Sequence, residues 1–368
     1  MRRRLDAEPA TIVILRHCFL GDFVVTIPAL RALRQAYPYA RIVFLTTTSL
    51  SSPRGERASA SGIFDIEAGL IDEIVTYTYS DLRTEAGRSS IRERVGCHGP
   101  AVSLALSYSS EGLRSRLKRV VLCVLLGLPF PLGLRATRSL PAPRLFNRWR
   151  VGRIDVEHQY RAALSSVNQL FRSLGRSMVS LDLTYPTLAR TRNHESMRIG
   201  IAPFTRQRVK QWPIESFAEL IIRLSREGEV LFELYGAPED REMSIRLLAL
   251  VQGQANLTSS CGLLTPFQLR KSIENKDLLI CLDSGPMHIA SLVGTPVVAI
   301  FSQITLHQFW QPWGPDGHLV SNFVPCSQCD TRSSDCPLGT RACIDGISVD
   351  KVYDSVRTLM DSQVVDAS

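Results

Sequence analysis

Long apolar runs are the first thing this sequence of 368 residues lacks. The longest, at 120–128, falls far short of the roughly 20 residues that a membrane span needs. The N-terminus, MRRRLDAEPA, carries three arginines with no apolar stretch behind them, so no secretory signal is expected. No periodic repeat is present, which argues against a solenoid. Aromatic residues make up 7% of the chain and are not interleaved with the basic clusters at 114–119 and 135–153, as a base-stacking surface would require. A nucleic-acid partner is therefore not expected. Five of the nine cysteines (Cys18, Cys97, Cys123, Cys261, Cys281) are scattered, mostly inside apolar segments, as free thiols of a reducing compartment are used. Together these absences lead to the expectation of a soluble, cytoplasmic protein.

Apolar content of 45% with 21% charged residues is an ordinary globular mixture, and the length suits two domains. A formal charge of +8 points to anionic partners without choosing among phosphates, nucleic acid and an acidic membrane face.

The organising stretch is 277–301, DLLICLDSGPMHIASLVGTPVVAIF. It reads as a strand at 277–282, a tight turn Asp283-Ser284-Gly285, a short helix opening on Pro286, a stop at Gly294 and a strand at 295–301. Both strands are continuously apolar, as a parallel sheet covered on both faces requires. The helix N-terminus then sits at the carboxyl end of the sheet, where unpaired N–H groups and the helix dipole favour an anion. Asp283, Ser284, Gly285, Met287 and His288 crowd onto that spot. The alternative is that Asp283 or Ser284 merely caps the helix and His288 is a core histidine.

Other segments repeat the pattern. A strand at 11–15 leads through RHCFLGD into a helix at 24–38 and a strand at 40–46, so Gly21 and Asp22 lie at another carboxyl strand end. Asp22 reads either as a functional carboxylate or as a helix cap. A polar loop spans 49–62, strands lie at 71–77 and 102–106, and helices at 113–126 and 159–174. The first of these helices carries Arg114, Arg116, Lys118 and Arg119 beside an apolar run, which suits either docking on an anionic membrane surface or covering the sheet with a solvated basic side. Residues 184–197 read as an interdomain linker. Strands at 198–202, 229–235 and 256–257 then alternate with helices at 214–224, 240–251 and 266–273. Such alternation in both halves predicts an α/β protein with two doubly wound sheets and a cleft between them.

Three stretches, ILRHCFLGDFVVTIPALRALRQAYPYARIVFL, IGIAPFTRQRVKQWPIESFAELI and the organising stretch, in this order and separation, resemble glycosyltransferase family nine, the ADP-heptose:lipopolysaccharide heptosyltransferases and their relatives. Agreement covers roughly 12–44 and 198–349. The resemblance implies the GT-B fold: an acceptor-binding Rossmann-like domain at 1–186, a nucleotide-sugar-binding one at 197–347, and a C-terminal helix within 348–368 packing back on the first. It implies inverting transfer of heptose from ADP-heptose to a lipopolysaccharide core hydroxyl, without a catalytic cofactor and in peripheral contact with the membrane. Asp22 takes the position of the base, and Arg16 and Gly21 lie on the acceptor side. Lys210 matches the phosphate-binding lysine and Thr205 a hydroxyl contact, while Asp283, Ser284, Gly285, Met287 and His288 attend the donor, with Glu239 near its ribose. Phe204 stands where the family has glycine, and Ser302-Gln303-Ile304 where it has Gly-Pro-Thr, so bulkier groups face the donor. Another nucleotide sugar or a protein or small-molecule acceptor is the rival within the family; a catalytically silent sugar-nucleotide-binding scaffold is the rival outside it.

Finally, Cys326, Cys329, Cys336 and Cys343 fall within 18 residues and open with C-x₂-C. They read either as a structural Zn²⁺ or iron site or as reduced thiols that pack the segment.

Overall fold

The computed structural model describes residues 8–17, 19–47, 62, 65–97, 99–106, 113–134, 158–178, 196–304, 307–314, 316–327, 329 and 335–365. The loop read at 49–62, the basic cluster at 135–153 and the linker at 184–197 fall almost wholly outside them. Two compact units divide the chain, Met1–Leu183 and Thr184–Ser368.

In the first unit, strands β1 (Thr11–Leu15), β2 (Arg41–Thr47), β3 (Glu73–Tyr77) and β4 (Ala101–Ala105) form a parallel sheet in the order β3-β2-β1-β4. Register sets Ile12 against Ile42 and Val102, so apolar side chains stack across the sheet. All five residues of β1 are buried, which is why the strand reads as an unbroken apolar run. Helices α1 (Leu20–Val24), α2 (Ile27–Ala36), α3 (Glu85–Val95), α4 (Leu113–Leu125) and α5 (Gln159–Ser173) accompany it. The helix expected over 24–38 starts three residues later, at Ile27, and a short helix, α1, occupies part of the stretch expected to be a loop. The chain pauses at Val25-Thr26 and restarts with Pro28 in the first turn of α2, because proline has no N–H to give an interior turn. One face of the sheet buries Val13, Leu15, Val43 and Leu45 against Ile91 and Val95 of α3 and Leu122 and Cys123 of α4.

The second unit carries β5 (Met197–Ala202), β6 (Val230–Leu234), β7 (Asn256–Ser259), β8 (Leu278–Leu282), β9 (Val297–Phe301) and β10 (Gly317–Ser321), again all parallel. Their order is β10-β9-β8-β5-β6-β7. Counted from β5 this is the 3-2-1-4-5-6 order of dinucleotide-binding doubly wound sheets, and it reverses direction between β5 and β8. Helices α6 (Ile214–Ser225), α7 (Arg241–Val251), α8 (Pro266–Glu274), α9 (Gly285–Val293), α10 (Ala342–Asp345) and α11 (Val349–Val365) complete the unit. The terminal helix α11 buries Val352, Val356 and Leu359 in the core of this same unit, against α6, β9 and β10.

Trp212 ties these parts together. It is fully buried, meets the Phe217 ring edge-on at 4.9 Å and donates its indole N–H to the Ile347 carbonyl at 2.9 Å, joining the loop after β5 to the segment before α11. Removing such a side chain forfeits its transfer energy and leaves a cavity. Trp212→Ala is expected to destabilise the second unit by about 3–5 kcal/mol. A urea titration followed by far-ultraviolet circular dichroism reads this as a lowered midpoint for that unit's transition.

Candidate functional site

The reversal of strand order puts a crevice outside the carboxyl ends of β5 and β8, which pair directly through Ile201 and Ile280. Two loops leave the sheet there. The one after β5 carries Thr205 and, in a 3₁₀ turn at Arg208–Lys210, Lys210; the one after β8 carries Asp283. They meet: Lys210 Nζ lies 2.6 Å from Asp283 Oδ2, with the side chains 18% and 8% exposed. Seventy-three positions separate the pair in sequence, so the sheet topology alone brings them together.

Gln211 braces the first loop. Its Oε1 accepts from the Thr205 N–H at 3.3 Å, and its amide nitrogen donates to the carbonyls of Pro203 and Trp212. The Gln211 carbonyl in turn accepts from Arg341, whose φ of 46° places a non-glycine residue in the left-handed region ahead of α10. Ser284 stands at the N-cap of α9, yet its hydroxyl turns back to the Leu282 carbonyl at 3.3 Å and caps nothing. Gly285 opens the helix, Met287 is fully buried in the unit, and Gly294 ends α9 at φ 73°. His288 is 3% exposed and packs against two tryptophan rings, Trp313 stacked and Trp310 tilted, each with its centroid at 5.8 Å.

After β6, Asp240 caps the turn by accepting from the Ala237 N–H at 2.8 Å, while the neighbouring Glu239 side chain is exposed. Gly236 precedes them. A Cβ there would lie 2.8 Å from the Phe204 ring and 3.0 Å from the Cys261 sulfur, so the glycine makes room for the phenylalanine. Phe204 is 8% exposed, a ring lodged against the crevice wall.

The first unit has its own reversal, between β1 and β4. Arg16 follows β1, is 2% exposed, and donates to the Leu106 carbonyl beyond β4 at 3.0 Å, which makes it a clamp across that reversal. Gly21 and Asp22 lie inside α1 instead of in a loop before a helix. Asp22 Oδ2 accepts from the Phe19 N–H at 3.0 Å in a capping arrangement. His17 bonds Thr47 through Nδ1 and meets the Phe19 ring edge-on at 5.6 Å. Desolvation holds its imidazole below the ordinary range, against the opposing pull of Asp22.

Cys326, Cys329 and Cys336 lie near enough to Cys343 to raise its thiol electrostatically, an effect added to the larger one of burial. Among the described residues, however, no group of three or more His, Cys, Asp or Glu side chains is arranged to hold a metal ion. Cys336 is held below the ordinary thiol range by the backbone N–H of Arg341 foremost, against slight burial, and by those of Leu338, Thr340 and Gly339.

Sequence reading missed Gln211, Gly236, Arg341, Trp310 and Trp313. Only the tryptophans left a signal, two aromatics three apart in FWQPWG just beyond β9.

The sequence model of the family described as glycosyltransferase family 9 (heptosyltransferase) matches residues 115–338. Lipooligosaccharide heptosyltransferase 2 of Campylobacter jejuni is 28% identical over 153 residues, covering 41% of this chain and 47% of that one. The chain thus spans about half the length of the curated relatives it matches. Among solved structures, the family 9 glycosyltransferase of Veillonella parvula superposes with a TM-score of 0.66 at 19% identity, covering 98% of this chain and all of that one. ADP-heptose LPS heptosyltransferase II of Escherichia coli gives 0.62 at 18% identity, covering 96% and 99%. These likenesses establish the GT-B fold.

The Cys336 environment is directly testable. Iodoacetamide at neutral pH is expected to modify Cys336 ahead of Cys343 and Cys281, whose thiols burial pushes up. The advantage should shrink as pH rises past the ordinary thiol range, since every accessible thiol then ionises. Peptide mass spectrometry over a time course reads the order.

Proposed function

The chain belongs to glycosyltransferase family 9, and from that premise we propose that it transfers heptose from ADP-heptose to a hydroxyl of a lipopolysaccharide core acceptor, with inversion at the anomeric carbon. The observation that carries this reading is the meeting of Lys210 and Asp283 at the crevice between β5 and β8. A phosphate-seeking cation there is already partly desolvated and held in place, so it is pre-organised for an anion. Such a donor site lies in the second unit and the acceptor site in the first.

In the reaction the acceptor oxygen attacks the anomeric carbon, its proton passes to the Asp22 carboxylate, and the bond from that carbon to the diphosphate oxygen breaks, releasing ADP. Lys210 meets the charge that grows on the departing diphosphate. The first turn of α9 supplies N–H groups that the Ser284 hydroxyl does not occupy. The Thr205 hydroxyl is suited to donate to the phosphates, Asp283 to position Lys210 and accept from the sugar hydroxyls, and the exposed Glu239 beyond β6 to accept from ribose hydroxyls. His288 and Met287, both buried, act through the shape of the wall: His288 with Trp310 and Trp313 keeps the α9 N-terminus fixed. The reading also has the enzyme working on the cytoplasmic side at a membrane surface, because its acceptor is a lipid. No helix among the described residues is long and apolar enough to cross a membrane.

Two measurements test the proposal. Calorimetric titration should show ADP bound in preference to UDP and GDP, with binding lost in Lys210→Ala; a UDP or GDP preference would overturn the donor. Asp22→Asn should keep ADP affinity while transfer falls by about 10²–10⁴. Unchanged turnover in that variant would remove Asp22 from the chemistry.

A further inference from the structure

Helix α4 is amphipathic in an unexpected sense. Only Leu122 and Cys123, with Leu126 just past its end, reach the core of the first unit. The opposite side carries more apolar surface: Leu113, Leu117, Val121, Val124 and Leu125 are 68%, 54%, 52%, 73% and 37% exposed. At about 100° per residue these five fall on one arc of about 120°, so they form a continuous stripe. Phe130, five residues on from Leu125, is 69% exposed as well. Folding leaves this surface wet, and contiguous exposed apolar surface of this kind marks a docking site.

Charge says what docks. The helix holds Arg114, Arg116, Lys118 and Arg119 and not one Asp or Glu. On the wheel Arg114 and Lys118 fall within or beside the apolar arc and both are exposed; among the described residues no carboxylate pairs with either. Arg119 lies on the other side, close enough to act on the Tyr77 hydroxyl. An apolar stripe with cations at one edge, on a helix that carries no carboxylate, matches a layer that is apolar inside and anionic at its surface. A helix of 13 residues, about 20 Å long, would lie flat in such an interface with its stripe among the acyl chains and its cations at the phosphates.

We propose that the outward face of α4 is an interfacial anchor that seats the first unit on an anionic phospholipid bilayer through Leu113, Leu117, Val121 and Val124, with Arg114 and Lys118 at the headgroups. This deepens the reading of a lipid-linked acceptor and rests on it only for its purpose, since the anchor itself can be measured without any sugar.

The test is co-sedimentation of the full chain with vesicles of phosphatidylcholine alone or mixed with phosphatidylglycerol. Binding is expected to the mixed vesicles, and to weaken as salt is raised. Arg114→Ala and Lys118→Ala should each weaken it about fivefold. The double variant Leu117→Glu, Val121→Glu should abolish it while thermal unfolding stays as in the parent, because neither side chain contributes to the core. Calorimetric binding of ADP should be unchanged in all three. Failure to pellet with either vesicle, equal pelleting with both, or an unaffected double variant would overturn the anchor. So would sedimentation velocity showing a dimer that the double variant dissociates, which would assign the stripe to a second copy of the chain. Loss of ADP preference in the parent protein would sink the transferase reading and leave the anchor standing.

Discussion

A cation and a carboxylate drawn together where a parallel sheet changes direction is the constraint on which the second unit's site depends. Lys210 and Asp283 are both largely removed from water, and each makes the other's charge tolerable. Their arrangement also fixes loops. The 3₁₀ turn at Arg208–Lys210 must bring the ammonium over the end of β8, so the stretch from Pro203 to Trp212 cannot wander. Gln211 and the buried Trp212 lock that stretch from within, and Arg341 and Ile347 lock it from the C-terminal segment. The Lys210 ammonium is therefore held in position, paired with Asp283.

The first unit uses the same architecture with a different occupant. At its own reversal the bridging group is Arg16, which bonds a backbone carbonyl and is shut away from solvent. Two sheets of the same winding thus close their reversals in two ways, one with a side-chain ion pair and one with a clamp that holds β1 to β4. A few residues further along, α1 carries Asp22 in its first turn, capped onto the Phe19 N–H.

Much of this was readable beforehand because parallel strands buried on both faces write themselves as apolar runs: β1, β8 and β9 differ from their sequence boundaries by two residues at most. Breaks set by a single backbone rule were harder. The short α1 was missed because five residues are too few to show a helical period, and only the missing N–H of Pro28 marks where α2 starts. Of the site, Lys210 came only through the family resemblance, while Asp283 and Ser284 stood out through their place at a strand end. Gln211 and Arg341 did not, because a glutamine that braces a loop and an arginine held in the left-handed region have no periodicity to betray them. His288 was left with two readings; the structure adds that it is buried against Trp310 and Trp313, a contact no sequence pattern announced. The outward stripe of α4 is the reverse lesson: its sequence pattern fits sheet cover and interface equally, and only the observed exposures tell which side is spent on the core.

One contact has a consequence for how such a crevice can change over generations. Phe204 occupies the space that a side chain at position 236 would need, and Gly236 has none. Neither position is at liberty to drift alone: a methyl group at 236 meets an aromatic ring, and a smaller residue at 204 opens a hole in the core of the second unit. The Cys261 sulfur and the Asp240 Cβ crowd the same space, at 3.0 and 3.1 Å from where a Cβ at 236 would lie, so removing the ring alone would not admit a side chain there. Moving bulk from 204 to 236 would thus take several coordinated changes, each unfavourable on its own, so the ring once acquired is hard to lose.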